Sequence, residues 1–375
     1  MWLKSIELEG FRNYVHCSCG LDSGINVVAG ENAQGKTNLL EAVYYLAGAR
    51  SFRTRSDKEL IRMDSGEASV RGTVVSAIRE QEIRIDLSRR ERKKIFVNGV
   101  RLKSGSELAG RLCCVLFSPD DLELIRGQSS ARRRFIDLAI SQLRPQYAAA
   151  LAEYHRILEQ KSRILKDWHE KPSLLDVLDD YSLALAKQGA ILIRYRAAWC
   201  RKVAEKAALF HGEISGRDER FSVAYRTVST IPEPMGMGNR ELFEAILEHQ
   251  ETHRQAELES GQCLTGPHKD ELIPEIEGLP AGKFASQGQA RTAALSLKLA
   301  EWELAREDLG ESPILLLDDV LSELDMQRQD YVLNCIGGGQ VMISCCGSEE
   351  LRRKTGGSVI QVNAEFRTQT SPFRP

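Results

Sequence analysis

The sequence has no long apolar run. None of its 375 residues lies in a hydrophobic stretch near the ~18–20 residues that a helix needs to cross a bilayer. The first nine residues, Met1-Trp2-Leu3-Lys4-Ser5-Ile6-Glu7-Leu8-Glu9, alternate like a strand, whereas a signal peptide would begin with an apolar block. We therefore expect a cytoplasmic protein with no membrane span.

Cysteines paired at metal-binding spacing are also missing. Nine cysteines stand at positions 17, 19, 113, 114, 200, 263, 335, 345 and 346. No two of them have the C-x2-C spacing of a zinc site, and an odd number cannot form a complete set of disulfides. Free and mostly buried thiols are expected.

A strong net charge is absent as well. Lysine and arginine number 51 and the acidic residues 53, giving a formal charge of −2, so the molecule as a whole does not attract nucleic acid. Any contact with DNA would depend on local basic clusters. Three clusters are present: Arg89-Arg90-Glu91-Arg92-Lys93-Lys94, Arg132-Arg133-Arg134 and Arg352-Arg353-Lys354. A solvated surface is the simpler interpretation of such clusters.

The strongest pattern that is present is a phosphate-binding loop, the P-loop. Gly30-Glu31-Asn32-Ala33-Gln34-Gly35-Lys36-Thr37 has the form G-x-x-x-x-G-K-[ST]. An apolar run at 25–29 predicts a strand before it, and the pattern from Asn38 to Ala47 predicts a helix after it. Glycines let backbone N–H groups approach phosphates, and the positive helix end favours them. We predict that residues 30–38, including Asn38, bind ATP, with Lys36 at the outer phosphates and Thr37 on Mg²⁺.

An acidic partner for magnesium follows a second apolar run. Ile314-Leu315-Leu316-Leu317-Asp318-Asp319 predicts a buried strand that ends in two carboxylates. Asp318 would bind the metal, and Asp319 would orient or deprotonate the attacking water. The alternative is a strand followed by an ordinary helix-capping aspartate.

Two further patterns belong with these. Ser286-Gln287-Gly288-Gln289-Ala290-Arg291 opens a predicted helix and forms a second anion cradle, which makes sense if it covers nucleotide held by another subunit. Ser322-Glu323-Leu324-Asp325 predicts a turn near the same interface between two subunits. In this order the four patterns resemble an ABC-type ATPase head, an α/β fold.

A helical segment separates the two halves of the site. Lys36 and Asp318 are 318 − 36 = 282 residues apart, and apolar residues on seven-residue repeats between 147 and 199, around Pro172, predict an antiparallel helical hairpin. The hairpin is either an exposed arm or an ordinary pair of packed helices. We therefore expect an N-terminal ATPase part at 1–118, a helical lobe at 119–262, and a C-terminal ATPase part at 263–375.

The whole chain resembles the RecF family of bacterial DNA-repair proteins. The residues that carry the resemblance are Gly10-Phe11-Arg12-Asn13-Tyr14, the P-loop with Asn38-Leu39-Leu40-Glu41-Ala42, Arg50-Ser51-Phe52-Arg53-Thr54, Phe117-Ser118-Pro119-Asp120-Asp121-Leu122, Arg132-Arg133-Arg134-Phe135-Ile136-Asp137 and Gly266-Pro267-His268-Lys269-Asp270, followed by the residue 286–291 segment, Asp318-Asp319 and the 322–325 turn. Lys269 stands where the family usually has arginine. Ser344 and Cys345 occupy the region in which transporters carry a switch histidine.

The resemblance implies a weak, DNA-stimulated ATPase that forms a homodimer on ATP. It also implies binding to double-stranded and gapped or junction DNA, and loading of RecA onto single strands together with RecO and RecR. Arg132, Arg133 and Arg134 become candidate DNA contacts, with a solvated surface as the alternative. Arg12 is expected to reach the nucleotide, with a surface salt bridge as the alternative. His268 is either a nucleotide or lobe contact or a structural histidine.

Two other classes of function remain open. One is the energising subunit of a membrane transporter, disfavoured by the long interval between motifs and the missing histidine. The other is an SMC-like chromosome-structure ATPase, disfavoured by the short predicted arm.

Overall fold

The computed structural model describes residues 1–216, 219–335, 337–346 and 355–368. The chain forms two compact units, Met1–Asp121 with Glu301–Pro375, and Leu122–Ala300. The first division lies close to the expected boundary after residue 118. The second differs: residues 263–300 belong to the second unit, although the sequence suggested the ATPase head, because the strand at 271–276 pairs with the strand at 221–226.

Unit 1 contains an antiparallel sheet of six strands. Its strands are β1 (Trp2–Glu9), β2 (His16–Gly20), β4 (Glu67–Val75), β5 (Glu80–Ser88), β6 (Lys94–Val97) and β7 (Val100–Arg101), in the order β2-β1-β4-β5-β6-β7. Burial alternates along β4 and β5, as expected for a sheet with one covered face. Asn98 and Gly99 both have positive φ and form the hairpin turn between β6 and β7.

The second sheet of unit 1 is parallel. It consists of β3 (Ile25–Ala29), β8 (Cys114–Phe117), β12 (Ile314–Asp318), β13 (Val341–Cys345) and β14 (Ser358–Gln361), in the order β14-β3-β13-β12-β8. The predicted apolar runs at 25–29 and 314–317 form β3 and β12, two of its three central strands. Because all its neighbours are parallel, the segments that follow β3, β12 and β13 leave the sheet at one edge.

Helix α1 (Lys36–Gly48) packs against both sheets, contacting β4 and β5 of the antiparallel sheet and β8, β12 and β13 of the parallel one. Its side chains are therefore buried around most of its circumference, from Leu39 through Ala47. Helix α9 (Met326–Cys335) follows β12 in the same unit. The start of α1 is thus fixed by a core that both sheets share.

Unit 2 is mostly helical. Its helices are α2 (Glu123–Arg126), α3 (Ser129–Leu143), α4 (Pro145–Asp167), α5 (Leu178–Ile214), α6 (Asn239–Ser260) and α7 (Ala281–Phe284), followed by α8 (Gln287–Leu309), which continues into unit 1. A three-stranded sheet of β9 (Phe221–Arg226), β10 (Glu271–Ile276) and β11 (Leu279–Pro280) has the order β11-β10-β9.

The predicted helical hairpin is formed by α4 and α5, which pack together around a break that contains Pro172. The hairpin does not stand alone, because α6 packs on α5. Lys161 interrupts the apolar repeat of α4 because its ammonium forms a 2.8 Å ion pair with Glu257 of α6, both side chains being at most 4% exposed. This buried ion pair explains why the charged Lys161 stands at a position of the seven-residue repeat that is otherwise apolar.

All nine cysteines lie in the described residues and are thiols outside any disulfide, and six of them are buried, as expected. Among the described residues, no helix is both long enough and apolar enough to cross a membrane.

Candidate nucleotide site

The P-loop connects β3 to α1, as predicted. Gly35 precedes the helix with φ of 114°, a conformation that favours glycine, and an added Cβ would lie 2.8 Å from the Asn13 side chain. A Cβ on Gly30 would lie 2.4 Å from the carbonyl oxygen of Val362. Both glycines are therefore required by close packing. The first N–H groups of α1 have no partner within their own helix and face the loop, which makes an anion cradle.

Asn13 and Tyr14 hold this loop from outside. The Asn13 amide donates to the carbonyl of Gln34 at 3.1 Å, and Asn38 donates to Asn13 Oδ1 at 2.9 Å. The Tyr14 hydroxyl donates to the carbonyl of Gly35 at 3.0 Å. Burial raises the pKa of Tyr14 well above its ordinary value, so the hydroxyl stays protonated as a donor.

Lys36 points back over the loop. Its ammonium donates to the carbonyls of Gly30 at 2.8 Å and Glu31 at 3.2 Å, and it lies 3.6 Å from Cys346 Sγ. The Cys346 thiol in turn donates to Asn32 Oδ1 at 3.0 Å. The residue is 4% exposed, so its charge is concentrated at the mouth of the loop.

Thr37 and Asp318, the two predicted metal ligands, are brought together. The Thr37 hydroxyl donates to Asp318 Oδ1 at 3.0 Å, and the Ser344 hydroxyl donates to the same oxygen at 2.8 Å. Burial raises the pKa of Asp318, and the nearby Asp319 charge acts in the same direction, whereas the two hydroxyl donors and Arg53 oppose the rise. The described part of the chain contains no group of three or more His, Cys, Asp or Glu able to hold a metal. A magnesium shell at this pair would be completed by nucleotide oxygens and water.

Asp319 follows β12 in a left-handed conformation, with φ of 52°. Its N–H donates to Ser344 Oγ at 2.8 Å. Among the described residues its carboxylate accepts no hydrogen bond, and the side chain is partly exposed at the same edge as Asp318. A carboxylate with this freedom suits a proton acceptor.

Arg12 has an internal partner. Its guanidinium makes two 2.8 Å hydrogen bonds to the fully buried carboxylate of Glu41, and a third bond of 3.0 Å reaches the carbonyl of Glu59. Ser51 and Arg53 also contact Glu41, and Arg53 donates to Asn38 Oδ1 at 2.8 Å. Contact between Arg12 and nucleotide stays a prediction.

The segment at 286–289 lies in unit 2, at the start of α8. Ser286 Oγ accepts the Gln289 N–H at 3.2 Å, and Gln289 Oε1 accepts the Ser286 N–H at 2.8 Å, a reciprocal cap. Ser286, Gln287 and Gly288 are exposed. The cap orders the helix start while leaving these groups accessible for an anion.

The 322–325 turn caps α9. Ser322 Oγ donates to the carbonyl of Asp319 at 2.7 Å, and the Arg328 N–H donates to Asp325 Oδ1 at 3.0 Å. That backbone N–H and the Arg328 side chain lower the pKa of Asp325. The turn is therefore tied to the segment that carries Asp319.

The candidate DNA contacts at 132–134 are largely committed within unit 2. Arg132 forms a 2.7 Å ion pair with Glu271 and donates to the carbonyl of Gly127 at 2.9 Å. Arg133 donates to the carbonyl of Asp270 at 2.8 Å. Arg132 and Arg133 thus have partners within unit 2, at the start of α3 and against β10, and their contact with DNA stays a prediction. Arg134 is partly buried and also has an interaction partner.

Residues of the basic cluster at 89–94 also have partners within the protein. Arg89 donates to the carbonyls of Ser65, Ile61 and Arg62, while Lys93 pairs with Asp57 at 3.0 Å. The cluster at 352–354 lies outside the described residues.

Both ring nitrogens of His268 have partners within unit 2. Its Nδ1 lies 2.6 Å from the Tyr154 hydroxyl, and its Nε2 lies 3.0 Å from the carbonyl of Cys263. Burial lowers the pKa of His268 to about 4. A neutral ring that donates through Nε2 and accepts at Nδ1 satisfies both contacts.

Sequence reasoning assigned no role to Asn13, Tyr14, Glu41, Arg53, Ser344 or Cys346. The first four lie in the segments that carry the family resemblance, and that resemblance could have pointed to them as site residues. Ser344 and Cys346 carry no local pattern; they enter the site because β13 lies between β3 and β12.

Comparison with known proteins gives one consistent result. The family model RecF/RecN/SMC N terminal domain matches residues 2–365. The chain is 36% identical over 353 residues to the DNA replication and repair protein RecF of Clostridium kluyveri, covering 94% of this chain and 95% of the relative. It is 38% identical over 342 residues to RecF of Bacillus subtilis, covering 90% and 91%.

Solved structures agree. The structure of the recombination mediator protein RecF-ATP in the RecFOR pathway superposes with a TM-score of 0.87, at 35% identity and with 93% of each chain covered. The Smc head domain of Pyrococcus furiosus, 16% identical, covers 98% of this chain and 94% of its own with a TM-score of 0.53. The second likeness concerns the fold alone.

Proposed function

This chain belongs to the RecF family, and we propose that it is a DNA-repair ATPase that binds ATP with Mg²⁺ and dimerises on it. One observation carries the proposal: the hydroxyl of Thr37 lies 3.0 Å from Asp318 Oδ1, beside the buried ammonium of Lys36. Residues 281 positions apart thereby supply a metal-binding pair next to a phosphate cradle. Relatives whose structures are described as RecF-ATP support the same ligand.

The residues present fit a magnesium nucleotide. Glycine at positions 30 and 35 lets the loop backbone pack closely, since a Cβ at either position would collide with the protein. Lys36 would supply a positive charge to phosphate held at the helix start. Thr37 and Asp318 would hold Mg²⁺, which when bound neutralises charge on the phosphates. Asp319 would accept the proton of the attacking water.

The segment at 286–289 would complete the site in a dimer. An exposed helix start in unit 2 is suited to the phosphate of nucleotide on a second copy of the chain. Nucleotide would then bridge two subunits, and its hydrolysis would release them.

Mixed dimers test this shared site. Lys36→Arg and Ser286→Arg should each lack ATPase activity when present alone, because one damages the P-loop and the other fills the opposing helix start. A mixed dimer holds one site with both defects and one site with neither. Mixing should therefore restore part of the activity, provided that hydrolysis at one site does not require the other. A chain with both substitutions, mixed only with itself, is the control. Flat activity at all ratios, with heterodimers verified by pull-down, would contradict a shared site.

The action on DNA is proposed from the family. Relatives are described as DNA replication and repair proteins, and solved relatives belong to the RecFOR pathway. We infer that the ATP-bound dimer binds gapped or junction DNA and, with RecO and RecR, helps RecA load onto single strands. DNA is also expected to stimulate the weak ATPase.

Sedimentation tests the DNA step. The protein is sedimented with and without Mg-ATP, in the presence of a gapped duplex or of an intact duplex of equal length. The proposal expects an ATP-dependent dimer that binds the gapped duplex more tightly. Equal binding to both duplexes would remove gap recognition and would favour the SMC-like alternative.

A further inference from the structure

We propose that Ser344 is a positioning residue of the nucleotide site, whose single hydroxyl holds Asp318 and Asp319 in one fixed arrangement. The inference rests on the proposed ATPase function. It concerns a residue for which the sequence offered no motif.

Strand pairing places Ser344 beside the two aspartates. In the parallel register of β12 and β13, Ser344 lies opposite Asp318. Its hydroxyl donates to Asp318 Oδ1 at 2.8 Å and accepts the Asp319 N–H at 2.8 Å. The residue is 3% exposed, so water does not compete freely for either bond. A hydroxyl has one proton, and here that proton is committed to Asp318.

The first consequence concerns the orientation of Asp318. Its Oδ1 receives both donors, Ser344 and Thr37. Oδ2 accepts no hydrogen bond from the described residues. Two donors on one oxygen fix the carboxylate plane and leave the other oxygen for a metal or a metal-bound water. Thr37 is itself a proposed metal ligand, whereas Ser344 is not. Ser344 is therefore the donor whose only role is to hold the Asp318 carboxylate.

The second consequence concerns the backbone of Asp319. Its φ of 52° lies in the left-handed region, which is unfavourable for residues with a Cβ. The hydrogen bond from its N–H to Ser344 stabilises that turn at the end of β12. Ser344 therefore links the proposed metal ligand and the proposed base through one atom.

The chain offers a matched control. Ser69 of β4 donates to Asp86 of β5 at 3.0 Å, and the two residues are directly paired across neighbouring strands. This is the same serine–aspartate interaction in the same unit, outside the nucleotide site. Removing the Ser69 hydroxyl measures what such a bond contributes to the fold alone.

The test compares Ser344→Ala, Ser344→Thr, Ser344→Val and Ser69→Ala. ATP hydrolysis is measured against Mg²⁺ concentration, and ATP binding is measured without Mg²⁺. Loss of a hydrogen bond to a charged group should lower kcat about 10-fold or more in Ser344→Ala and raise the Mg²⁺ concentration at half-maximal rate. Binding of ATP without Mg²⁺ should change less than about 2-fold, because the P-loop contacts remain. Ser344→Thr should retain activity, and Ser69→Ala should match the parent.

The outcomes are separable. If Ser344→Ala fails to fold, the isosteric Thr and Val variants carry the comparison, since they differ only in the hydroxyl. Parental turnover and Mg²⁺ dependence in Ser344→Ala, equal losses in Thr and Val, or failure of both Ala and Val to fold would each overturn the positioning role. Failure of the parent itself to bind or hydrolyse ATP would instead refute the proposed function, and this inference with it.

Discussion

Replacing Asp319 with asparagine should stop hydrolysis while leaving ATP and Mg²⁺ bound. The substitution removes one negative charge and changes almost nothing else. The φ of 52° at this position is among the conformations that asparagine tolerates best after glycine, and the bond from the backbone N–H to Ser344 does not involve the side chain. The variant therefore isolates the carboxylate as a proton acceptor.

The expected fall in kcat follows because only the carboxylate is changed. A positioned general base contributes typically about 10²–10⁴-fold to a rate, so kcat should fall by that factor in Asp319→Asn. Asp319→Ala would lose the same charge and also place alanine in a left-handed turn, adding about 1–2 kcal/mol of backbone strain. A lower unfolding free energy in the alanine variant, at similar residual activity, would separate the two effects.

Single-turnover ATP hydrolysis and calorimetric Mg-ATP binding are the measurements. Asp319→Asn should bind Mg-ATP like the parent and accumulate as a dimer. Asp318→Asn is the matched contrast: it keeps an acceptor for Thr37 and Ser344 but should lose Mg²⁺ dependence of binding. Turnover by Asp319→Asn within about 3-fold of the parent, far short of a base's usual contribution, would refute the assignment of Asp319 as the base.

Lys36→Arg should abolish nucleotide binding in calorimetry without changing the far-ultraviolet circular dichroism, because a broad guanidinium does not fit beside the Gly30 carbonyl; parental affinity would contradict this. Because the pKa of His268 is lowered to about 4 from about 6.5 in the unfolded chain, the unfolded state binds more protons, and about 1–2 kcal/mol of unfolding free energy should be lost between pH 7 and 5. Urea titrations should find this loss smaller in His268→Gln, and an equal loss would exclude the histidine as its source. In the same assay Lys161→Met should lower the free energy of unfolding by about 3–5 kcal/mol, because it leaves the buried charge of Glu257 without its partner. Adding Glu257→Leu removes that charge and should recover part of the loss. If the losses of the two single changes simply add, the result would argue against the ion pair. Arg132→Glu should lower the unfolding midpoint by breaking its bond to Glu271. If that bond is the residue's main role, the slope of DNA affinity against salt should not change, whereas a flatter slope in a folded variant would identify Arg132 as a phosphate contact.

Short-range patterns were enough to predict the elements that carry the site. The P-loop, the strand ending at Asp318 and the helix after Ser286 each depend on a few consecutive residues, because glycine placement, apolar periodicity and helix caps act within one or two turns of chain. The same reasoning found the helical hairpin around Pro172. Helix α6, which packs on this hairpin, was not predicted. The apolar repeat of a helix shows which of its faces is buried but does not show which other helix covers that face.

The sequence by itself determined which residues form the nucleotide loop, its acidic strand and the order of the motifs. Only the tertiary structure decided what each charged side chain contacts. Arg12 pairs with Glu41, Arg132 pairs with Glu271, and Ser344 joins the aspartates from 26 residues away. The pairing of β9 with β10 likewise moved the unit boundary beyond residue 300. The physical reason is that a buried charge or hydroxyl must find a partner wherever the strands and helices bring one, and that partner has no fixed distance along the chain.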